Sequence, residues 1–596
     1  MRLGGLVVTA ALGSALAAGA SAGGGHDPRV GSGPPQPGLR DAQSEPAIAV
    51  DVGAIARHVP QAKQPLAVGA NDYFDQAICS SFCKFAAGVG ISGVYFSDDD
   101  GSSWTKQGDL RYPGRTMRTE PPRRGRIITV PRFAKKLASH GDPALAFGPV
   151  PGKKFDWSNG SRLYYATLAQ RYKSPDDGPQ TIVVSRTDNL ANAASTASNA
   201  WRAWIAPVTV SRPKRGGDYF ADKPAIWVDN ADSSDHFGSV YLCWASYRTA
   251  AEAEAGRGSP RPLLLARSID GGKVWSKPIP LSPGAGGSTR QGCAIRTDSK
   301  GSVYVVWEGS GSKAGNSIYL TRSDTGGASF PAAHPVATVF DVGATGTGLR
   351  SDLRARTFDG VLGARTNSWP SIDIANGAPS GKDAPNTIVL AWADARAGRD
   401  KEQALLQYSR KRGDAWSKPV NAANRRPPSP YTLERPDFPA VAISPSGRHV
   451  YVVYTAFHDP WRSDTTSPRR MGGVMRVTTF ADLMARGGSA SWTELTPRPA
   501  VGDARFTASV GGEERSLTRG AAVEFIGDYN SIVATDRAGY AVWIDVRDTE
   551  NCGPVRLFRS KILASPRRRF KQPNIRLRCP EKFGNANLFG GVLKPK

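Results

Sequence analysis

Histidine and cysteine are scarce in this chain: 596 residues hold seven histidines and six cysteines. The cysteines lack the paired short spacings and neighbouring histidines of a zinc site, so neither a metal centre nor a cofactor is expected. Long apolar runs are missing too. After Leu3 to Ala20 no segment is long and apolar enough to cross a bilayer, so no stable membrane insertion is expected. Helical periodicity is nearly absent, with only Phe480 to Arg486 and Ala250 to Ala255 looking helix-prone. Acidic residues are in deficit: 52 Asp and Glu against 77 Lys and Arg give a net charge of +25. Anionic glycans, cell-wall polymers or a negatively charged surface would all feel that field, and diffuse solubilising charge is the plainer alternative. The clusters Arg123-Arg124-Gly125-Arg126 and Arg567-Arg568-Arg569 stand in poorly patterned segments that suit solvated loops.

What is present begins with an export signal. Arg2 precedes the apolar run, and Ala20-Ser21-Ala22 is a small-x-small cleavage pattern, so residues 1–22 are expected to be a signal peptide and 23–44 a flexible leader rich in Gly and Pro. Export argues against nucleic acid as the intended partner and for disulfides. Six cysteines allow fifteen pairings, and nearest neighbours suggest Cys79 with Cys83, Cys243 with Cys293, and Cys552 with Cys579.

The chain repeats a unit of short strands. An apolar strand opens near Asp-x-Pro or an aromatic, a second strand often ends in Trp, and a third leads to a turn. Two turns share an eight-residue pattern, Ser97-x-Asp99-x-Gly101-x-x-Trp104 and Ser268-x-Asp270-x-Gly272-x-x-Trp275. Worn copies run from Ser323 to Phe330, with Thr325 in the Asp place, and from Ser409 to Trp416, with Lys411 there. The chemistry suits a tight hairpin: Asp caps backbone N–H groups, Gly accepts positive φ, and the aromatic folds back between strands. Seven such units can be counted, the last continuing into Arg556-Leu557-Phe558, with an insertion rich in Gly and Arg from about Phe340 to Thr366. The reading is an all-β fold, a β-propeller of seven blades, with six as the alternative. A sheet that cannot bury both faces alone then gains its core by packing around an axis.

These turns resemble the Asp-boxes of the sialidase-like superfamily of secreted propellers, from about Glu45 to Leu563, leaving 564–596 as a basic extension. The resemblance implies boxes on the face opposite the functional site, so Ser97, Asp99, Gly101, Trp104, Ser268, Asp270, Gly272 and Trp275 would be structural. It also implies a functional face built from the loops before first strands and after second strands. There Trp244, Trp392 and Trp543 are each followed four residues on by Arg248, Arg396 and Arg547, and twice by an intervening acid, Asp394 and Asp545. Arg290, Glu308, Glu434, Arg435, Asp437, His458, Asp218, Tyr219, Asp528 and Tyr529 belong to the same face. Such arginines can grip an acidic sugar bidentately or serve as inter-blade salt bridges. The family's catalytic members are six-bladed exo-sialidases that use three arginines, a Tyr nucleophile paired with Glu, and an Asp acid/base. Gly527-Asp528-Tyr529 resembles the family's last-blade motif, with Tyr529 as nucleophile, Glu434 as its base and Asp528 as a rival base; packing at a blade opening is the alternative role of Tyr529. Glu45-Pro46-Ala47-Ile48 stands where the family has its first arginine. The expectation is a propeller acting on or binding acidic glycans, a candidate exo-glycosidase of sialidase type. The alternative is a non-catalytic glycan- or envelope-binding or protein-interaction propeller, with oligomeric state open.

Overall fold

A computed structural model describes residues 27–30, 42–73, 90–107, 137–171, 179–195, 200–211, 220–247, 263–282, 290–310, 316–344, 356–357, 364–423, 430–496, 500–508, 524–565, 568 and 570–595. Seven small antiparallel sheets stand around one axis as a β-propeller. Blade 1 runs Gln43–Val50, Leu66–Asp72, Ser92–Ser97 and Thr105–Gln107 from the axis outward. The innermost strands of the next six blades are Ala144–Pro149, Phe220–Val228, Arg290–Thr297, Ser371–Ile374, Arg435–Ile443 and Ser531–Ala534. Each packs against its neighbours, and the last packs on the first.

The core lies between blades, as repeated sheets require. One apolar cluster joins Leu242 and Trp244 of blade 3 to Tyr164 and Val184 of blade 2, and another joins Val452 and Tyr454 of blade 6 to Val389 and Leu406 of blade 5. The strand-end Trp244, Trp307, Trp392 and Trp543 are fully buried. Cys243 and Cys293 form a disulfide between blades 3 and 4, and Cys552 pairs with Cys579. Cys79 and Cys83 lie outside the described residues, as do residues 1–22, Arg123 to Arg126, Arg567, Arg569 and Ala250 to Ala255.

The ring closes differently from the expected limits of 45–563. Asn587–Leu593 is the third strand of blade 7, paired along Gly539–Asp545. Val30 donates to the Leu588 carbonyl and Gly590 to the Pro28 carbonyl, so a piece of the expected leader edges the last blade. Both ends of the chain therefore satisfy backbone groups that an open sheet edge would leave unpaired. The Arg556-Leu557-Phe558 segment is helical, within Gly553–Ala564, where Pro at the first turn and Val555, Phe558 and Ile562 on one buried side favour a helix over the expected strand. The helix at Phe480–Arg486 forms as expected, capped by Thr479.

Register assigns the two faces. Val50 pairs with Leu66 and Leu66 with Ser97, so the turn after Ser97 lies at the end of the blade opposite Gln43 and Asp72. On this back face Ser97 Oγ accepts from Gly101 N (2.9 Å) and Asp99 from Ser103 N (2.9 Å); Ser268 and Asp270 do the same for Gly272 and for Lys273 and Val274. In the worn copies Ser323 and Ser409 still bind Gly327 and Gly413, and the Thr325 hydroxyl takes the carboxylate's place toward Ser329 N. Three of these turns are docked by an arginine of the blade before them: Arg186 donates to the Gly271 carbonyl, Arg267 to Gly326 and Arg322 to Arg412. Three of the basic residues that raise the net charge are thus internal fasteners.

Candidate functional site at the front mouth of the axis

On the front face the innermost strands begin with a repeated local device. Glu45-Pro46, Asp142-Pro143, Lys223-Pro224, Gly292-Cys293, Trp369-Pro370, Phe438-Pro439 and Tyr529-Asn530 occupy equivalent places, each followed by Ala or Ser. Bulges fall there in blades 1, 3, 4 and 6. Glu45, Asp142, Lys223 and Phe438 have φ of 55°, 49°, 51° and 49°. Left-handed backbone is strained for a side-chain-bearing residue, more so before proline, and the packed ring holds it in place. In blades 1, 3 and 6 the bulge turns Glu45, Lys223 and Phe438 toward the axis.

Four carboxylates and two cations gather at this mouth. Lys223 Nζ lies 3.0 Å from Glu45 Oε1, 2.8 Å from Asp528 Oδ2 and 3.4 Å from Asp142 Oδ2. Arg365, delivered by the insertion, holds Asp528 bidentately at 3.1 and 2.9 Å and approaches Glu45 at 3.7 Å. Asn71 donates to Glu45 (2.7 Å) and Asn367 to the Asp528 carbonyl (2.7 Å). The Lys223 ammonium stands 5.6 Å from the ring centres of both Trp369 and Tyr529. Gly292 leaves room for this aromatic wall: a Cβ there would come within 2.4 Å of Trp369.

The electrostatics divide these groups. Burial pushes the Lys223 pKa down, but Asp142, Asp528, Glu45 and Asp222 outweigh it and hold the ammonium well above an ordinary lysine. Burial pushes Asp528 up, yet Arg365 and Lys223 hold its carboxyl far below the usual range, so it stays ionised. Asp222, hydrogen-bonded with Asp142, is raised because burial exceeds the help of Lys223. The Tyr529 phenol is raised well above its usual value by burial, then by Asp142 and Glu45, with Lys223 opposing.

Beneath these groups an axial cavity of about 260 Å³ is walled by the seven innermost strands, with Lys223, Trp369, Asp528 and Tyr529 at its front and Asn230, Asn376 and Ala378 at its back. Two loops meet across the back: Asp232 N donates to the Pro379 carbonyl (2.8 Å), Ser233 N to Ser380 (3.1 Å), and Asn376 to Asn230 (2.8 Å). A Cβ on Gly381 would lie 1.9 Å from Ser233 Oγ, so only glycine permits that contact.

The expected site residues divide accordingly. Asp528 and Tyr529 stand at the mouth. Glu434 instead accepts from the Tyr454 hydroxyl within blade 6; the carboxylates that raise Tyr529 are Asp142, Glu45 and Asp528. Arg396 binds Asp394 of its own blade (2.7 Å) and the Thr338 carbonyl, and Arg547 binds Asp545 (2.6 Å) and Asp27 (2.7 Å). Trp392 and Trp543 donate to the same two fully buried aspartates, so these motifs act as fasteners, Arg396 from blade 5 to the outer strand of blade 4 and Arg547 from blade 7 to the N-terminal segment. Arg290 opens the innermost strand of blade 4, opposite Gly309. Arg248, Asp218 and Tyr219 lie outside the described residues. Glu308, raised by burial and by Asp341, shares Asn316 with it, and Arg435 faces Glu402 (3.5 Å). Asp437, pushed up to about 8 by burial, holds the Thr366 hydroxyl, and His458 stacks on Tyr431. Glu45, Asp142, Asp222, Lys223 and Arg365 were not foreseen as site residues; the recurring x-Pro at blade openings was the available signal for the first four.

No protein-family profile matches the chain, and no curated protein matches it. Solved structures similar to it include an α-L-arabinanase of Penicillium chrysogenum complexed with arabinobiose, at 12% identity over 75% of this chain and 97% of that one, TM-score 0.38. A phage phi92 endosialidase gives 10% over 96% and 70%, TM-score 0.38. The Hadza microbial sialidase Hz136 gives 12% over 69% and 63%, TM-score 0.35, so the chain spans less than two thirds of that protein. In architecture the chain is a β-propeller, the fold that its resemblance to the sialidase-like propellers implies, with seven blades where the resemblance implies six.

Proposed function

We propose that this is a secreted carbohydrate-active propeller that takes the terminal sugar of a glycan at the front mouth of its axis and cleaves the glycosidic bond there. The observation that carries the reading is the split of titratable groups around one tyrosine: Asp528 is held ionised, while Asp222 is pushed toward its protonated form beside Asp142. Oppositely shifted carboxyls are the pattern of acid/base chemistry. Tyr529 is the nucleophile in this reading. Asp142 or Glu45 rather than Glu434 receives its proton, because a phenol raised above its usual value needs a base before it attacks. Asp222 supplies the proton to the leaving oxygen.

The sugar expected at the axis is neutral. Both cations are already taken by carboxylates, and Glu45 itself occupies the place of the family's first arginine, so a sugar carboxylate would meet net negative charge. Anionic polymers would be gathered by the +25 charge of the surface, away from the axis. Export is supported by the N-terminal pattern and the two disulfides.

One observation favours binding without turnover: Lys223 already fills the space among three carboxylates. Fluorogenic glycosides, neutral and sialic, separate the readings. Turnover of a neutral glycoside, lost in Asp222→Asn, supports the enzyme. Saturable glycan binding with no turnover supports the second reading, and turnover of the sialoside alone overturns the neutral-sugar assignment.

A further inference from the structure

The C-terminal segment between Gly553 and Pro580 has no acidic residue and nine basic ones. It forms two helices, Gly553–Ala564 and Ile575–Arg578, tied by the Cys552–Cys579 disulfide with Cα atoms 5.0 Å apart. One side of the pair is committed: Val555 and Ile575 pack with Tyr73, Ala42 and Phe583, while Phe558 and Ile562 are buried beside them. Arg559 is fully buried, paired with Glu524 at 3.0 Å and donating to the Arg505 and Thr507 carbonyls. The opposite side is exposed and does not look like an ordinary soluble surface. Leu557 is 58% and Leu577 79% exposed, among the exposed Lys561, Arg568, Lys571, Arg576 and Arg578. Leu557 lies five residues after Cys552 and Leu577 two before Cys579, so both stand within about two helical turns of the disulfide.

We propose that this disulfide-tied helical pair is a peripheral docking surface for an anionic lipid bilayer. Basic side chains alone would serve any polyanion. Two leucines held in water beside them gain only where apolar matter is offered next to negative charge, which is the interfacial region of an anionic membrane. Docking is peripheral, since no helix among the described residues is long and apolar enough to cross a bilayer. The ionic part would be screened by salt and the leucine part would not.

The test uses the full chain and sedimentation with phosphatidylcholine vesicles made with or without phosphatidylglycerol. The parent is expected to sediment with the anionic vesicles only. Leu557→Gln/Leu577→Gln should weaken that binding about tenfold at unchanged melting temperature, and Lys561→Gln/Arg576→Gln should weaken it at low salt. If the leucine pair alters the melt, Leu577→Gln alone, at the more exposed position, gives the same reading. Absence of sedimentation overturns the proposal. So does anionic-vesicle binding that the leucine substitutions leave intact and soluble polyphosphate fully competes, because the surface then serves polyanions in general.

Discussion

The two ends of the propeller axis are built from the same repeat and obey opposite rules. At the back blades 3, 4 and 5 do the same thing in turn: a serine binds a glycine N–H, a turn is formed, and an arginine of the preceding blade fastens it. At the front seven equivalent positions carry Glu45, Asp142, Lys223, Gly292, Trp369, Phe438 and Tyr529, no two alike. Repetition marks what holds the ring together, and divergence at equivalent places marks where chemistry has been put. The two ends also seal differently. The back closes with neutral backbone and amide hydrogen bonds, whereas the front closes with buried charges whose mutual attraction has to offset their desolvation.

The comparison breaks most severely if the central cation is removed. Lys223→Met leaves Glu45, Asp142 and Asp528 buried without it, and a loss of about 3–5 kcal/mol is expected in chemical denaturation. A loss below about 1 kcal/mol would mean that Arg365 alone suffices. Next, Gly292→Ala should cost about 1–3 kcal/mol, since φ there is 63° and the new methyl meets Trp369; a change in tryptophan fluorescence should accompany it.

At the back, burial pushes Asp229 up to about 7 even though Ser234 donates to it. Its folded pKa exceeds its unfolded one, so between about pH 4 and 7 the native state holds the extra proton and stability falls as pH rises. Asp229→Asn removes this slope. Relative to the parent the variant should gain stability through that window, by about 1–3 kcal/mol, and level off above pH 7. Melting curves across pH would show it, and parallel profiles would contradict it. The smallest effect is expected for Arg267→Ala, which loses one hydrogen bond to the Gly326 carbonyl, about 1 kcal/mol, without altering ligand binding.

How much of this was legible in the sequence follows the same division. The back face repeats, so its turns and the seven units could be read from spacing, whereas the Cys243–Cys293 and Cys552–Cys579 pairs match a nearest-neighbour choice that spacing did not fix among the fifteen pairings. The closing strand Asn587–Leu593 could not, because it has no neighbouring unit in sequence and carries Gly590 and Gly591 mid-strand. Arg556-Leu557-Phe558 was ambiguous because a three-residue window has no period. At the front the Asp-x-Pro openings were visible as strand starts, but their role depends on local backbone that spacing does not show: the bulge at Lys223 and the left-handed φ of Asp142 and Lys223. Arg365 sits in an insertion without periodicity, and only the fold brings it to Asp528. The strand-end motifs left two roles open, ligand gripping or salt bridging, and Arg396 and Arg547 are paired with Asp394 and Asp545 in the fold.

The most direct test sets the two faces against each other in one pair of variants, Tyr529→Phe and Asp270→Ala, assayed for glycan binding and turnover below both melting temperatures. Tyr529→Phe should keep the parent's melting temperature and lose turnover, while Asp270→Ala should lose about 1–3 kcal/mol of stability and keep both activities. A fully stable Asp270→Ala protein that has lost its ligand, beside a Tyr529→Phe protein that turns over like the parent, would contradict the assignment of chemistry to the front and structure to the back.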